Sequence, residues 1–387
     1  MSVALRCVRV QNFKQFKDIT FDLTKKRDYA FNIDAVTEDE KYIKTALVYG
    51  KNGAGKTNLG RALMDIIYHL TDNVKEMEPY TFYLNRDSDE DFATFTYEFD
   101  INGKVAIYSY RKKLVDLCIF EQLSIDNDLV FSYDKEQGKL ETPGKDKWMF
   151  NDIGYDKFMN GSISLLKYIT VSSPLEPDND LLQLTDFVDG MLFFHRIDRG
   201  NHFVGFLQSP RENMATYIIK NGLLADFQAF LQQGGVNEQV ISKETDGTVS
   251  FFFRLKKADL PFMDVASSGT IALLLQFYWL HKIQNNKRKA SFVFLDDFDA
   301  FFHSELSELI YKTFKKVSDI QCVMTTNNTN LLSNKTGRPD SFFIITPDKI
   351  SALSELTKRE IREGNNIAKL YLANEFGIKS KFFPGRT

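Results

Sequence analysis

The chain has 387 residues, 43% of them hydrophobic and 26% charged, the make-up of an ordinary soluble globular protein with material for one substantial core or two. A formal charge of −3 gives no overall attraction to nucleic acid, so any contact with DNA or RNA must come from a local patch. Cys7, Cys118 and Cys322 stand far apart, with no CxxC pair and no histidine at ligand spacing, so the sequence suggests neither a disulfide framework nor a zinc site.

Residues 3–10 and 17–23 alternate like two strands joined by a turn at Gln11–Gln15. The start lacks the apolar stretch of a signal peptide, and no run of about 18 apolar residues occurs, so a cytoplasmic protein with no membrane partner is expected. Residues 45–49 form a short apolar strand running into glycines, and Asn58 to Leu70 carries apolar residues at helical spacing. The stretch 92–110 alternates around Asn102–Gly103, which predicts an antiparallel hairpin. From about 150 to 235 the pattern is mixed and mainly helical, punctuated by Pro174, Pro177, Gly190 and Gly234–Gly235, with no heptads. Strands at 248–256, 291–295, 320–326 and 341–346 then alternate with helices at 270–284 and 304–317, which implies a mostly parallel sheet.

Gly50-Lys51-Asn52-Gly53-Ala54-Gly55-Lys56-Thr57 fits GxxxxGK[ST] between an apolar strand and a helix N-terminus. Glycines let backbone N–H groups turn inward around phosphates, and the helix end adds positive potential. Lys56 is placed to reach the β- and γ-oxygens of ATP, Thr57 to ligate Mg2+, and Asn58 opens the helix behind them. A P-loop needs a carboxylate at the end of a neighbouring strand to hold the metal. Ser291 to Leu295 runs into Asp296, the metal-side candidate, and Asp297, positioned to polarise an attacking water. A second anion cradle, Ser267-Ser268-Gly269, opens the apolar helix that follows Thr270.

One chain rarely needs two cradles for one nucleotide, and this pairing resembles ABC-type ATPases, whose signature motif binds the γ-phosphate of a nucleotide held by the partner subunit. Gln11-Asn12-Phe13-Lys14-Gln15-Phe16 is similar to the NFxxF opening of the RecF, SMC and OLD-type group, where an adjoining basic residue, here Lys14, approaches the nucleotide. Asp296-Asp297-Phe298-Asp299-Ala300-Phe301-Phe302-His303 resembles the extended Walker B and D-loop of the group's bacterial-defence branch. Arg338-Pro339-Asp340, the run Leu356 to Arg362 and Asn366 to Tyr371 resemble the tails of ATPase subunits in two-gene anti-phage systems, such as RloA, the PARIS ATPase and Septu- or retron-linked ATPases.

The resemblance implies an α/β P-loop NTPase with an ABC-type head: a mixed parallel sheet, a peripheral antiparallel sheet and a helical insertion. The expected division is an ATPase lobe at 1–145, the insertion at 146–245 and a second lobe at 246–387. It implies ATP and Mg2+ as cofactors and a homodimer, open to higher assembly, closed around ATP. Two departures slow the implied hydrolysis: the water-positioning acid, usually Glu, is Asp297, and the switch histidine is replaced by Asn327. His303 is a further catalytic candidate across the dimer or else a packed surface residue.

The phenylalanine-rich stretches read as core strands. Lys287-Arg288-Lys289 reads as a solvated loop or a nucleic-acid contact, and His195, His202 and Asp189 form no convincing metal set. Neither a Toprim region nor long coiled-coil arms are present. Three readings stay open. The favoured one is a defence ATPase that senses a phage-encoded trigger or nucleic acid and controls a separate effector, a nuclease. The others are a RecF/SMC-like DNA repair ATPase that clamps DNA, and a scaffold that binds ATP without turnover.

Overall fold

The computed structural model describes residues 2–71, 82–154, 163–196, 202–205, 213–285 and 290–377. Its central sheet has seven strands in the order β10 (His202–Gly205), β9 (Met191–Arg196), β14 (Phe292–Leu295), β15 (Gln321–Thr326), β3 (Thr45–Tyr49), β16 (Phe342–Ile345) and β17 (Ile350–Ala352). The five middle strands are parallel and the two edge strands antiparallel. A second seven-stranded sheet is wholly antiparallel: β2 (Phe16–Asp22), β1 (Val3–Phe13), β4 (Ala93–Ile101), β5 (Lys104–Leu114), β6 (Leu117–Ile125), β7 (Asp128–Asp134) and β8 (Lys139–Glu141). A small third sheet joins β11 (Gln239–Thr245), β12 (Thr248–Arg254) and β13 (Asp259–Pro261).

The described helices are α1 (Lys56–Leu70), α2 (Lys145–Trp148), α3 (Leu165–Ser172), α4 (Asp180–Asp189), α5 (Met214–Lys220), α6 (Leu224–Gln233), α7 (Phe262–Val265), α8 (Ser268–Asn285), α9 (Ser304–Lys316) and α10 (Ile367–Leu372). Both faces of the central sheet are covered, which is why its strands read as unbroken apolar runs. Phe292, Phe294, Ala46, Val48, Phe343 and Ile345 face one core, shared with α1 and the antiparallel sheet. Val293, Leu295, Leu47, Tyr49, Phe342 and Ile344 face the other, shared with α8 and α9.

The stretch expected to be mainly helical holds α3 to α6, but it also supplies β9, which lies parallel to β14 inside the central sheet. Met191 to Phe194 is an apolar run of four after Gly190, too short for periodicity to separate strand from buried helix. The Asn102–Gly103 hairpin forms as expected, with both residues at positive φ. Lys287-Arg288-Lys289 lies outside the described residues, as do the side chains of His195 and His202.

Two buried polar devices join the layers. Gln321 on β15 accepts from Leu5 N at 2.6 Å and donates to Leu5 O at 2.9 Å, which splices the antiparallel sheet to the central one. Asp65 on α1 takes Lys112 Nζ at 2.8 Å, the Tyr110 hydroxyl at 2.9 Å and the Tyr83 hydroxyl at 2.8 Å, all out of water. Arg338 and Asp340 likewise form a buried ion pair, with Arg338 Nη2 donating to Arg27 O at 2.6 Å. That part of the tail acts as a clasp within the fold.

Candidate functional site

The strand order determines which side chains meet. β15 lies between β3, which ends at the glycine loop, and β14, which ends at Asp296. In the parallel register Leu295 pairs with Met324 and Tyr49 with Thr326, so Asp296 emerges beside Thr325, and Gly50 beside the turn at Asn327. All three strand ends open on the carboxyl edge of the sheet, where open α/β sheets bind ligands.

Lys56 is buried at this edge although it stands in the first turn of α1. Its Nζ donates to Gly50 O at 3.0 Å and to Asn327 Oδ1 at 2.6 Å, and lies 3.5 Å from Asp297 Oδ1. Three oxygens therefore surround the Lys56 terminus, as phosphate oxygens would. Thr57 Oγ1 donates to Asp296 Oδ2 at 2.6 Å, and Thr325 Oγ1 donates to the other oxygen, Oδ1, at 2.8 Å. Burial raises the pKa of Asp296, and these two hydroxyls partly offset it.

Asp297 adopts φ 42°, its backbone N–H donates to Thr325 Oγ1 at 2.7 Å, and its Oδ1 has no hydrogen-bond partner. The loop beyond is tied to the same strand: Phe298 N donates to Thr325 O at 3.2 Å, and Thr326 Oγ1 donates to Asp299 Oδ2 at 2.7 Å. Asn327 Nδ2 donates to Asn52 Oδ1 at 2.9 Å, so the replaced switch position touches the P-loop at both Asn52 and Lys56.

Within the loop, Lys51, Asn52 and Gly53 are exposed and Ala54 is buried; Gly53 and Gly55 take positive φ, at 79° and 106°. A Cβ on Gly55 would lie 2.6 Å from Gln15 Nε2 and 2.8 Å from Phe16, whereas one on Gly53 would meet nothing within 4 Å. The loop is thus open at Gly53 and packed at Gly55 against the turn after β1. Gln15 makes that contact, donating to Gly53 O at 3.3 Å and accepting from Asn58 Nδ2 at 2.8 Å. Lys14, the expected basic neighbour, is half-buried at φ 54°, with its pKa lowered by burial and then by Arg61.

Ser267 and Ser268 are exposed at the N-terminus of the 18-residue helix α8. Ser267 Oγ accepts from Thr270 N at 3.1 Å, an N-cap bond, while Ser268 heads the first turn. A Cβ on Gly269 would lie 3.2 Å from Phe301 O, so the loop after Asp297 packs against this second cradle. His303 is exposed 3.5 Å from Glu305, and no described contact links it to Lys56.

Gln15 and Thr325 join the site through their contacts, although no motif names either. Nothing local marks Thr325, whose part follows only from the β14–β15 register. Gln15 sits inside the NFxxF stretch, next to Lys14, which is the local signal for it.

The donor set fits ATP with Mg2+: a glycine loop open at Gly53, a buried lysine ringed by oxygens, and a threonine hydroxyl joined to a buried carboxylate. Among the described residues, no helix is long and apolar enough to cross a membrane. The chain is similar to solved structures of an SMC head bound to the C-winged helix domain of ScpA (13% identity, TM-score 0.48, 91% of this chain and 98% of that one). It is also similar to the SMC head domain from Thermotoga maritima (13%, 0.40, 90% and 98%) and to the recombination mediator RecF with ATP (16%, 0.38, 91% and 98%). No curated protein matches it. A family model, AAA_21, described as "AAA domain, putative AbiEii toxin, Type IV TA system", matches residues 46–333, well over half of the chain. The chain belongs to this family of AAA domains.

Proposed function

We propose that this chain is an ABC-type ATPase that binds ATP and Mg2+, pairs face to face with a second copy around them, and by its nucleotide state controls a separate effector, a nuclease, in defence against phage. The oxygen cage around Lys56 Nζ carries the nucleotide part of this reading, because a lysine so placed needs acceptors and holds protein ones until phosphate supplies better. When bound, Mg2+ neutralises charge on the β- and γ-phosphates. Thr57 and Asp296 would hold it, Lys56 would grip the same oxygens, and Asp297, whose Oδ1 lies 3.5 Å from Lys56 Nζ without a hydrogen bond, would accept a proton from water.

The pairing part rests on Ser268, which faces solvent at the end of a long helix where a second copy can reach it. Met263, Val265 and Phe301 are exposed apolar residues adjoining this cradle in sequence or contact, and a partner would cover them. Asp297 in place of glutamate and Asn327 in place of histidine favour a clamp with slow turnover. The family's description with a toxin–antitoxin system supports an ATPase that works beside a partner polypeptide.

The test is a phage challenge of cells carrying this gene with its neighbour, alongside phosphate release by the purified protein. Protection lost in Lys56→Ala, with wild-type turnover slow, supports the reading. ATP-stimulated, salt-sensitive binding of duplex DNA with no protection would assign a repair clamp instead.

A further inference from the structure

Where the antiparallel sheet meets the C-terminal end of α1, at the opposite end of that helix from Lys56 and Thr57, His69, Cys118 and Glu121 place their ligand atoms within 4.8 Å of one another. His69 comes from the last turn of α1, and the other two from β6. A regular strand would send residues 118 and 121 to opposite faces. Here the β5–β6 register breaks: Arg111 pairs with Phe120 and Lys112 with Cys118, leaving Ile119 as the extra residue of a bulge. Bulges re-aim side chains in this way, and this one brings the thiol toward the carboxylate.

His69 Nε2 is buried without a hydrogen-bond partner, 3.6 Å from Glu121 Oε2. That separation is too long for a hydrogen bond. It is close to the roughly 3.3 Å between two ligands on one tetrahedral zinc, each about 2.0 Å from the metal. The rest of the carboxylate is held in place: Oε1 accepts from the Tyr108 hydroxyl at 2.8 Å and from Leu166 N at 2.9 Å, and Oε2 from Leu165 N at 2.7 Å. The His69 ring stacks on Tyr110 at 4.1 Å. Such outer partners orient metal ligands. Burial favours the neutral imidazole. A neutral imidazole, a carboxylate and a thiolate would together cancel the charge of one divalent ion.

We propose that His69, Cys118 and Glu121 bind a divalent transition metal of the zinc class, which clamps the end of α1 to β6 and the start of α3. On binding, the Cys118 S–H gives up its 3.2 Å hydrogen bond to Phe120 O and loses its proton to solvent, and the thiolate forms the sulfur–metal bond; burial holds the metal-free thiol protonated, so binding releases that proton. The spacing of 69, 118 and 121 hides the set from a sequence scan, because only the bulge and the packing of α1 bring it together.

The test is cobalt(II) titration of the full-length protein, stripped by a chelator and free of nucleotide. One equivalent should bind with the visible bands of tetrahedral cobalt and a near-ultraviolet thiolate band. Cys118→Ser should lose the thiolate band and bind at least about 10-fold more weakly, while Cys7→Ser, Cys322→Ser and Lys56→Ala keep the wild-type spectrum. Should Cys118→Ser misfold, a thiolate band in the wild type that Cys7→Ser and Cys322→Ser both retain assigns the sulfur to Cys118, and its loss in either of those variants counts against the proposal. Absence of tetrahedral bands in the wild type, or a spectrum unchanged in Cys118→Ser, would overturn the proposal and leave these residues as hydrogen-bonded packing. Either result stands apart from ATP binding, which Lys56→Ala reads separately.

Discussion

Asp297 adopts φ 42°, in the left-handed region that Asp and Asn enter more readily than other side chains. This gives a local reason for the shorter acid: a glutamate there would bear a backbone cost of about 1 kcal/mol. Asp297→Asn keeps the backbone preference and removes the proposed proton acceptor, so hydrolysis should fall by at least about 100-fold while ATP still binds. Phosphate release and equilibrium dialysis check both halves. Thr325→Val, which frees both Asp296 and Asp297 N at once, should slow turnover by about 10-fold or more without loss of fold, measured in a single-turnover assay.

Asp296 has a pKa raised chiefly by burial, so the native state takes up its proton more readily than the unfolded chain does. Its contribution to stability is complete below the unfolded value of about 3.9 and is lost as pH rises through the higher folded value. Asp296→Asn removes that titration. The thermal midpoint of the variant without nucleotide should therefore gain on the wild type as pH rises above about 4, then level off, while stabilisation by ATP with Mg2+ disappears.

At the level of elements, α1 approaches the central sheet through Gly60, where a Cβ would lie 2.6 Å from Phe294 and 2.9 Å from Phe193. Gly60→Val should cost about 1–3 kcal/mol by overpacking. Lys112→Met should cost more, about 3–5 kcal/mol, because it leaves the Asp65 carboxylate buried without its cation. Denaturant titration of the two variants separates them.

What could be read in the sequence follows from how local each element's cause is. The glycine loop, α1 and the Asn102–Gly103 hairpin are specified by neighbouring residues, and they stand where expected. Met191 to Phe194 carries too few residues to declare itself, and only β14 beside it makes it a strand. The same limit applies inside the site. Lys56, Thr57 and Asp296 announce themselves by motif, whereas Thr325, Gln15 and the set His69, Cys118 and Glu121 depend on register, a turn and a bulge.

At the scale of the whole molecule, one sheet edge presents the glycine loop and Asp296, and the loop that leaves Asp297 packs against the head of α8, where Ser268 meets solvent. In the proposed dimer, the triphosphate gripped at Lys56 in one copy is completed by Ser268 and Gly269 of another. The most direct measurement is the mass of the protein in solution with and without ATP and Mg2+, for wild type, Asp297→Asn and Ser268→Arg. Wild type and Asp297→Asn should double in mass with ATP, and Ser268→Arg should bind ATP yet remain a monomer. A wild-type protein that binds ATP and stays monomeric at every concentration, or a Ser268→Arg variant that pairs as well as the wild type, would contradict it.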